Sequence, residues 1–360
     1  MLCIASFFVL TILGIFSASH RSLATKAWYC VARRITFKPC DINFSEEIKG
    51  KLFAKLIFTH PRLTKFLSKW IDAIAFVFVI LTIWSLISVS LAGLNLWVYD
   101  TCNPVNAESC SLSGEACGIA QEELSLGQAI EQKKLGVYVT KPFTTFAETV
   151  SRIPDRLKSW EAKNYLAPNA TYYFAFDPSK PTAVEAIDPG CKFCKKLFEN
   201  IKTAQFENRY NLSYLVYPIA DKSTASGYKF ANSYLISSYI EALKIAPRTL
   251  WGSEKISPDW QLLEIIFTEK DTDGIDWQTK FNNILSAQEA ETQLQKFLAK
   301  MKYAPDQIAQ IAKISVSEEV KTALDAQRDI VENKLKTIKI PTIVFDGRRF
   351  DRVVDVQHLK

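Results

Sequence analysis

The sequence predicts an α/β domain with a large helical insertion, preceded by one or two transmembrane helices. Three observations lead to this prediction. A stretch without charged residues covers Ala73–Tyr99, strand and helix patterns alternate from Thr171 onward, and residues 223–335 are almost entirely helical in pattern before a final β-hairpin. Strand–helix–strand followed by helices and a hairpin is typical of a mixed sheet flanked by helices.

The apolar stretch Ala73–Tyr99 is long enough to cross a membrane, since a bilayer core requires about 20 apolar residues. Trp70 at one end and Trp97 at the other lie where aromatic belts are found. Residues 1–19 are also uncharged and form a possible first span. They resemble the core of a signal peptide but lack a basic stretch before the apolar run.

Positive charge is concentrated between these two apolar segments. Residues 18–72 carry eleven Lys or Arg against four acids, whereas the whole chain has a net charge of +6. Because basic segments stay in the cytoplasm, we expect residues 20–72 to form a cytoplasmic loop and everything after Tyr99 to lie outside. The protein is then a cell-membrane protein, with membrane lipid as one partner and no nucleic-acid partner.

Three cysteines follow the apolar helix within residues 100–168, which we interpret as an extracytoplasmic stalk or linker. They are Cys102, Cys110 and Cys117. Outside the cytoplasm they are candidates for a structural disulfide, for example Cys102–Cys110, which would leave the third cysteine free or paired with a partner. The alternatives are a redox relay with the main site described below, an inert role and a metal site, for which three thiolates are too few.

Residues 169–360 form the predicted α/β domain, with a helical insertion at about 220–335. The pattern predicts strands at Tyr172–Phe176, Thr182–Ile187, Leu212–Tyr217, Ile338–Phe345 and Arg349–Val354. The dipeptide Asp346-Gly347 between the last two strands predicts a tight hairpin turn.

A CxxC motif, Cys191 to Cys194, lies between the strand Thr182–Ile187 and the helix that follows it. At a helix start, free backbone N–H groups and the helix dipole stabilise a thiolate, which is the attacking species in disulfide exchange. The two-residue spacing lets Cys194 resolve a mixed disulfide on Cys191. Lys192, Lys195 and Lys196 add positive charge that should lower the pKa of Cys191 further.

Two other interpretations of the motif remain open. Half of a zinc site would need a second pair of ligands, and the sequence contains no other CxxC and no HxxxH. A purely structural disulfide across so short a loop would gain little stability from chain entropy. We therefore expect redox chemistry, without a metal or organic cofactor.

The segment TAVEAIDPGCKFC, followed much later by IKIPTIVFDG, resembles the thioredoxin superfamily, and the long helical insertion resembles its DsbA-like branch. The resemblance covers about residues 170–356 and implies a thioredoxin-like fold. It makes Cys191 the nucleophile, Cys194 the resolving thiol and Pro341 the cis-proline that faces them. It places Ile340 where backbone groups pair with a substrate strand, and Glu185 where a buried acid handles protons for the resolving cysteine.

Inside the motif stands Lys192-Phe193, which departs from the Pro-His or Gly-Pro of the best-known members. We assign these two residues, together with Ile340 and Pro341, to substrate binding. The resemblance implies an extracytoplasmic thiol–disulfide oxidoreductase that forms disulfides in secreted proteins. Its partners would be protein thiols and a membrane redox protein. A reductase or isomerase, and a non-catalytic membrane-anchored scaffold, are the alternatives.

Overall fold

The computed structural model of the chain describes residues 7, 18–36, 50, 61–104, 115–119, 125–246 and 256–360. The chain divides into two compact units, Met1–Leu91 and Ala92–Lys360. The second unit contains the CxxC motif and the sheet.

The first unit contains the helix α1, Ala18–Ile35, and most of the helix α2, Pro61–Tyr99. Within the described ranges, one stretch is long and apolar enough to cross a membrane, and it is Ala73–Tyr99 in α2. Large apolar side chains on this stretch are exposed, Leu81 and Val89 by more than half of their surface. The predicted first span, residues 1–19, lies mostly outside the described residues.

Cys30 in α1 is buried and disulfide-bonded. Disulfides are rare in the reducing cytosol. This bond therefore does not fit the expectation that residues 20–72 form a cytoplasmic loop, which remains a prediction.

The main sheet of the second unit has the strand order β3-β2-β5-β6 in the part of the chain that the structure describes. Its strands are β2 (Thr182–Ile187), β3 (Asn211–Val216), β5 (Thr342–Phe345) and β6 (Arg348–Phe350). β2 runs parallel to β3 and antiparallel to β5, and β5 runs antiparallel to β6. A separate two-stranded ladder joins β1 (Cys117–Gly118) to β4 (Lys339–Ile340) in antiparallel orientation.

Helices surround this sheet and connect its strands. A short helical region precedes it and comprises α3 (Leu126–Glu131), α4 (Leu135–Ser151), α5 (Ile153–Leu157) and the 3-10 turn Ala162–Tyr165. The helix α6 (Lys192–Ala204) connects β2 to β3, with a 3-10 turn at Phe206–Asn208. The insertion before β4 contains α7 (Ser233–Ile245), α8 (Pro258–Thr268), α9 (Trp277–Asn283), α10 (Ala287–Lys300), α11 (Pro305–Ser315), α12 (Glu318–Asp329) and the π-helical turn Ile330–Leu335. A short helix, α13 (Val356–Leu359), follows β6.

The insertion and the sheet share one apolar core. Trp260 on α8 is fully buried, and its ring packs edge-on against Tyr214 of β3 and Tyr173, with centroids 4.4 Å and 5.3 Å away. β2 and β3 are buried along their whole length, as expected of strands covered on both faces. The architecture confirms the predicted fold class, an α/β domain with a large helical insertion.

Two predicted strands were wrong. Residues 172–176 form no strand; only the N–H of Tyr173 bonds to the sheet, to the carbonyl of Leu212 at 2.9 Å. The predicted strand Ile338–Phe345 is divided at Pro341, which has no N–H to give to a ladder. The part before Pro341 pairs with β1 and the part after it pairs with β2.

The predicted hairpin turn is confirmed. Asp346 and Gly347 have φ values of 47° and 71°, a conformation that favours Asp-Gly in a two-residue hairpin. The returning strand is shorter than predicted and ends at Phe350 rather than Val354.

Candidate functional site

Cys191 lies at the turn where β2 passes into α6. Ile187 ends the strand, and Cys191 is the N-cap residue of the helix. Its carbonyl oxygen accepts hydrogen bonds from the N–H groups of Cys194 at 3.0 Å and Lys195 at 3.2 Å. No acidic residue stands in the first turn of this helix. Cys191 therefore lies at the positive end of the helix dipole, as the sequence predicted, although its side chain makes no capping hydrogen bond.

Close packing and two amide side chains fix the shape of this turn. A Cβ atom on Gly190 would lie 2.4 Å from the Cβ of Phe230, so that only glycine fits there. From α9, the Gln278 amide donates to the carbonyls of Pro189 at 2.8 Å and Cys191 at 3.1 Å. Asn282 donates to the carbonyl of Gly190 at 2.8 Å. The helical insertion thus holds the backbone of the turn that carries Cys191.

Cys191 is bonded to Cys117, with a Cα–Cα distance of 6.4 Å, rather than to Cys194. The sequence predicts a structural disulfide between two of the three loop cysteines, for example Cys102–Cys110, with the third free or paired with a partner. Cys102 is also disulfide-bonded, and Cys110 lies outside the described residues. The bond matches the alternative that we had left open, in which a loop cysteine communicates with the main site.

Pro341 lies opposite Cys191. The Ile340–Pro341 peptide bond is cis, and the carbonyl oxygen of Ile340 lies 3.7 Å from the Cys191 sulfur. The two motifs are about 150 residues apart in sequence, and the fold brings them together as the resemblance implied. Ile340 is fully buried, and its strand is paired with Cys117 and Gly118.

Cys194 faces the interior of the domain as a buried free thiol. Burial raises its pKa well above the usual value. A hydrogen bond from the backbone N–H of Asp188, at 3.4 Å, acts in the opposite direction, while the charges of Asp188 and Glu185 raise the pKa further. The Cys194 thiol therefore needs a nearby group that removes its proton before it can act as a thiolate.

Two buried carboxyl groups lie near that thiol. Glu185 on β2 is 1% exposed, neither of its side-chain oxygens has a hydrogen-bond partner, and burial raises its pKa to about 8. Asp188 accepts hydrogen bonds from the N–H groups of Gly190 at 2.8 Å and Ile219 at 2.7 Å. Burial raises the pKa of Asp188 to about 6, although these two hydrogen bonds act to lower it. Both groups can exchange protons near neutral pH.

The lysines of the motif differ in their surroundings. Lys195 forms an ion pair with Asp276 at 2.9 Å, and Lys196 forms one with Glu115. These acids partly neutralise the positive charge that we expected to lower the pKa of Cys191. Lys192 is exposed and lies over the ring of Phe193, 5.0 Å from its centroid.

An open groove of about 540 Å³ runs beside the disulfide. Lys192 and the half-buried Phe193 line it together with Gln278 and Asn282 of the insertion and with Cys117. The groove gives space to side chains that flank a sulfur held at Cys191. The sequence placed Lys192 and Phe193 at the substrate site, but it gave no indication of Gln278 or Asn282, which are more than 80 residues from the motif.

No protein-family model matches the chain, and no curated protein matches it. Solved structures that resemble it include a thioredoxin-like oxidoreductase from Silicibacter pomeroyi DSS-3, with 15% identity over 53% of this chain and 88% of that chain at a TM-score of 0.36. Another is MdbA, a thiol-disulfide oxidoreductase from Corynebacterium diphtheriae, with 11% identity, 57% and 98% coverage and a TM-score of 0.39. A third is α-DsbA1 from Wolbachia pipientis, with 11% identity, 55% and 92% coverage and a TM-score of 0.39.

Proposed function

We propose that this chain is a thiol–disulfide oxidoreductase that acts on protein thiols outside the cytoplasm, with Cys191 as nucleophile and Cys194 as resolving thiol. The observation that carries the proposal is the position of Cys191. It is the N-cap residue of α6, and its sulfur faces the carbonyl of Ile340 beside Pro341 and is already engaged in a disulfide.

The chemistry follows from the two environments of the thiols. A substrate thiolate attacks a disulfide at Cys191 or, in the other direction, Cys191 attacks a substrate disulfide. A mixed disulfide forms in both directions. In reduction, Cys194 passes its proton to a nearby base and attacks the Cys191 sulfur, which releases the substrate thiolate. In oxidation, Cys194 has left as a thiolate and takes up a proton, and the second substrate thiolate attacks the substrate sulfur and releases Cys191. Glu185 and Asp188 are the buried groups with pKa values of about 8 and about 6 that suit this transfer.

Disulfide formation in secreted proteins is the direction that we favour, because the positive charge before α2 predicts an extracytoplasmic domain and because the disulfide bonds of Cys102 and Cys117 suit an oxidising compartment. Turnover then requires a membrane redox partner that reoxidises the pair, and the apolar helix Ala73–Tyr99 would keep the two proteins in the same lipid bilayer. A reduction potential near about −120 mV would support oxidation, whereas about −270 mV would support a reductase.

The test is oxidation of a reduced dithiol peptide by the full-length chain in detergent, with oxidised glutathione as terminal oxidant. We expect the wild-type chain to accelerate the reaction and Cys191→Ser to return it to the uncatalysed rate. Equal rates for the two proteins would contradict the proposal and would favour a scaffold in which the thiols are inert.

A further inference from the structure

A short segment of the chain itself, residues 115–119, lies where the proposed function requires an incoming substrate strand. Cys117 is paired with Ile340 and Gly118 with Lys339 in antiparallel register. The N–H of Ile119 donates to the carbonyl of Ile338 at 2.9 Å and extends this pairing. Adding a strand to an exposed edge is a common way in which proteins bind an extended peptide.

Polar contacts hold this segment at both of its ends. The carbonyl of Glu115 accepts a hydrogen bond from the N–H of Val353 at 3.0 Å, and the Glu115 carboxylate pairs with Lys196. At the other end, the Lys229 ammonium group donates to the carbonyl of Gly118 at 3.1 Å. Most of these contacts involve the backbone of the segment, so that a different sequence could form them as well.

The segment also supplies the sulfur that a substrate would supply. Cys117 is bonded to Cys191, and the two cysteines are 4% and 0% exposed. A purely structural bridge would permanently block the residue at the helix start. In this site, however, Cys194 is a free thiol one helical turn from Cys191 and can attack the bond.

We propose that Cys117 is the internal substrate of the Cys191/Cys194 pair, a third redox-active thiol that occupies the place of a protein substrate between turnovers. This inference rests on the proposed function and specifies what its active site holds at rest. Residues 115–119 are the internal strand, and Cys117 carries its reactive sulfur.

The exchange at this site is balanced. The Cys194 thiolate attacks the Cys191 sulfur, the bond between Cys191 and Cys194 forms, and the bond between Cys191 and Cys117 breaks. Cys117 leaves as a thiolate and takes up one proton, which equals the proton that Cys194 has given up. The chain neither gains nor loses electrons in this step, and the reverse step restores the internal disulfide.

A protein substrate has to compete with this internal strand. A tethered competitor acts at an effective concentration of the order of millimolar for a short flexible connection. Removal of the Cys117 thiol should therefore lower the KM for a dithiol peptide by about tenfold or more, and this change in KM should exceed any change in kcat. A structural bridge would instead change both constants together or affect only the stability of the protein.

The first experiment maps disulfides in the full-length chain in detergent, equilibrated in glutathione buffer and quenched with N-ethylmaleimide before proteolysis. We expect wild-type protein to contain both linkages of Cys191. Cys194→Ser should direct the whole disulfide to Cys117, and Cys117→Ser should direct it to Cys194. A wild-type protein in which Cys191 is bonded to Cys117 under all conditions, together with a Cys117→Ser variant that forms no Cys191–Cys194 bond, would overturn the proposal.

The second experiment compares two lysines in the same helical turn. Lys196→Gln removes the ion pair with Glu115 of the segment, whereas Lys195→Gln removes the ion pair with Asp276, the N-cap residue of α9. Both variants remove one positive charge near Cys191. A change in KM that the two variants have in common is therefore caused by the loss of that charge. Because exposed ion pairs are weak, we expect KM for the peptide to fall about twofold further in Lys196→Gln than in Lys195→Gln. If the KM for the peptide has the same value in Lys195→Gln, Lys196→Gln and Cys117→Ser, the internal strand does not compete with the peptide, and the proposal is wrong.

The outcomes separate this inference from the proposed function. If the wild-type chain oxidises the peptide and Cys117 is never found linked to Cys191, the internal substrate is wrong and the oxidoreductase remains. If Cys117 and Cys194 exchange at Cys191 but no peptide is oxidised by any variant, the activity on other proteins is wrong and the internal exchange remains.

Discussion

The two sulfurs of the CxxC motif are one helical turn apart, yet the regions on either side of that turn are electrostatically opposite. On the outer side, Cys191 meets the positive end of α6, with Lys192 beside it and an open groove along the internal strand. On the inner side, Cys194 is buried near the carboxyl groups of Glu185 and Asp188. Helix dipole and charge favour a thiolate outside, whereas burial and negative charge disfavour one inside.

In the proposed function, this difference gives the two sulfurs of one short motif separate tasks. Cys191 attacks or is attacked, and Cys194 resolves the mixed disulfide. The outer sulfur is suited to be an anion that leaves or attacks easily, while the inner sulfur is kept protonated until it is needed. The proton of Cys194 has to move to a neighbour, and the two carboxyl groups differ in how they could take it. Asp188 is held by two backbone N–H groups, whereas Glu185 has no hydrogen-bond partner for either oxygen.

The largest expected effect concerns the pH dependence of stability. Burial raises the pKa of Glu185 from 4.5 to about 8, so the folded chain binds more protons than the unfolded chain between these pH values. Stability that is fully present below pH 4.5 is therefore lost as the pH rises toward 8. At pH 7 this loss amounts to about 3 kcal/mol, and Glu185→Gln, which cannot ionise, should escape it.

The measurement is the guanidinium midpoint of the full-length chain in detergent from pH 5 to 8.5, followed by tryptophan fluorescence. The wild-type curve should fall more steeply with pH than that of Glu185→Gln. Asp188→Asn serves as the matched control. Burial raises the pKa of Asp188 only to about 6, so the loss of stability caused by Asp188 is complete at a lower pH than the loss caused by Glu185. Parallel curves for wild type and Glu185→Gln would show that Glu185 ionises normally in the fold.

The second prediction ranks Glu185 and Asp188 by how strongly each carboxyl group raises the pKa of Cys194. Both negative charges raise the pKa of Cys194, and near neutral pH Asp188 is the more ionised of the two. We therefore expect the pKa of Cys194 to fall in both variants and to fall more in Asp188→Asn than in Glu185→Gln. The ¹³Cβ shifts of labelled cysteine, followed against pH in a Cys102→Ser background, report this pKa directly. The reverse order would mean that Glu185 is the charged neighbour.

Much of this site could be predicted from sequence because its parts are local or carry a recognisable motif. The mainly apolar pattern of Thr182–Ile187 placed Glu185 on a strand, and the Asp-Gly pair predicted the hairpin after Phe345. The position of the CxxC motif between a strand pattern and a helix pattern indicated where α6 begins. In each case, the short-range pattern and the final environment agree.

The remainder depends on contacts between distant segments, which a local pattern does not encode. The bond of Cys117 spans 74 residues, and three cysteines in one loop offered several partners of equal merit. Gln278 and Asn282 look like ordinary polar helix residues until the insertion folds over the turn. Tyr172–Phe176 has strand-forming residues, but it makes one backbone bond to the sheet, and the rings of Tyr173 and Phe174 pack on the core instead.

The smallest expected effect tests how rigidly the two sides are held apart. In Gly190→Ala, the new methyl group would lie 2.4 Å from the Cβ of Phe230, an atom close to the backbone that cannot rotate away. Overpacking of this kind costs about 1–3 kcal/mol, so the unfolding midpoint should fall. Gly136→Ala on α4 is the control, because no atom lies within 4 Å of its added Cβ and alanine favours a helix. If both variants unfold at the wild-type midpoint, the turn can yield to the added methyl group, and Phe230 does not hold the outer sulfur in place.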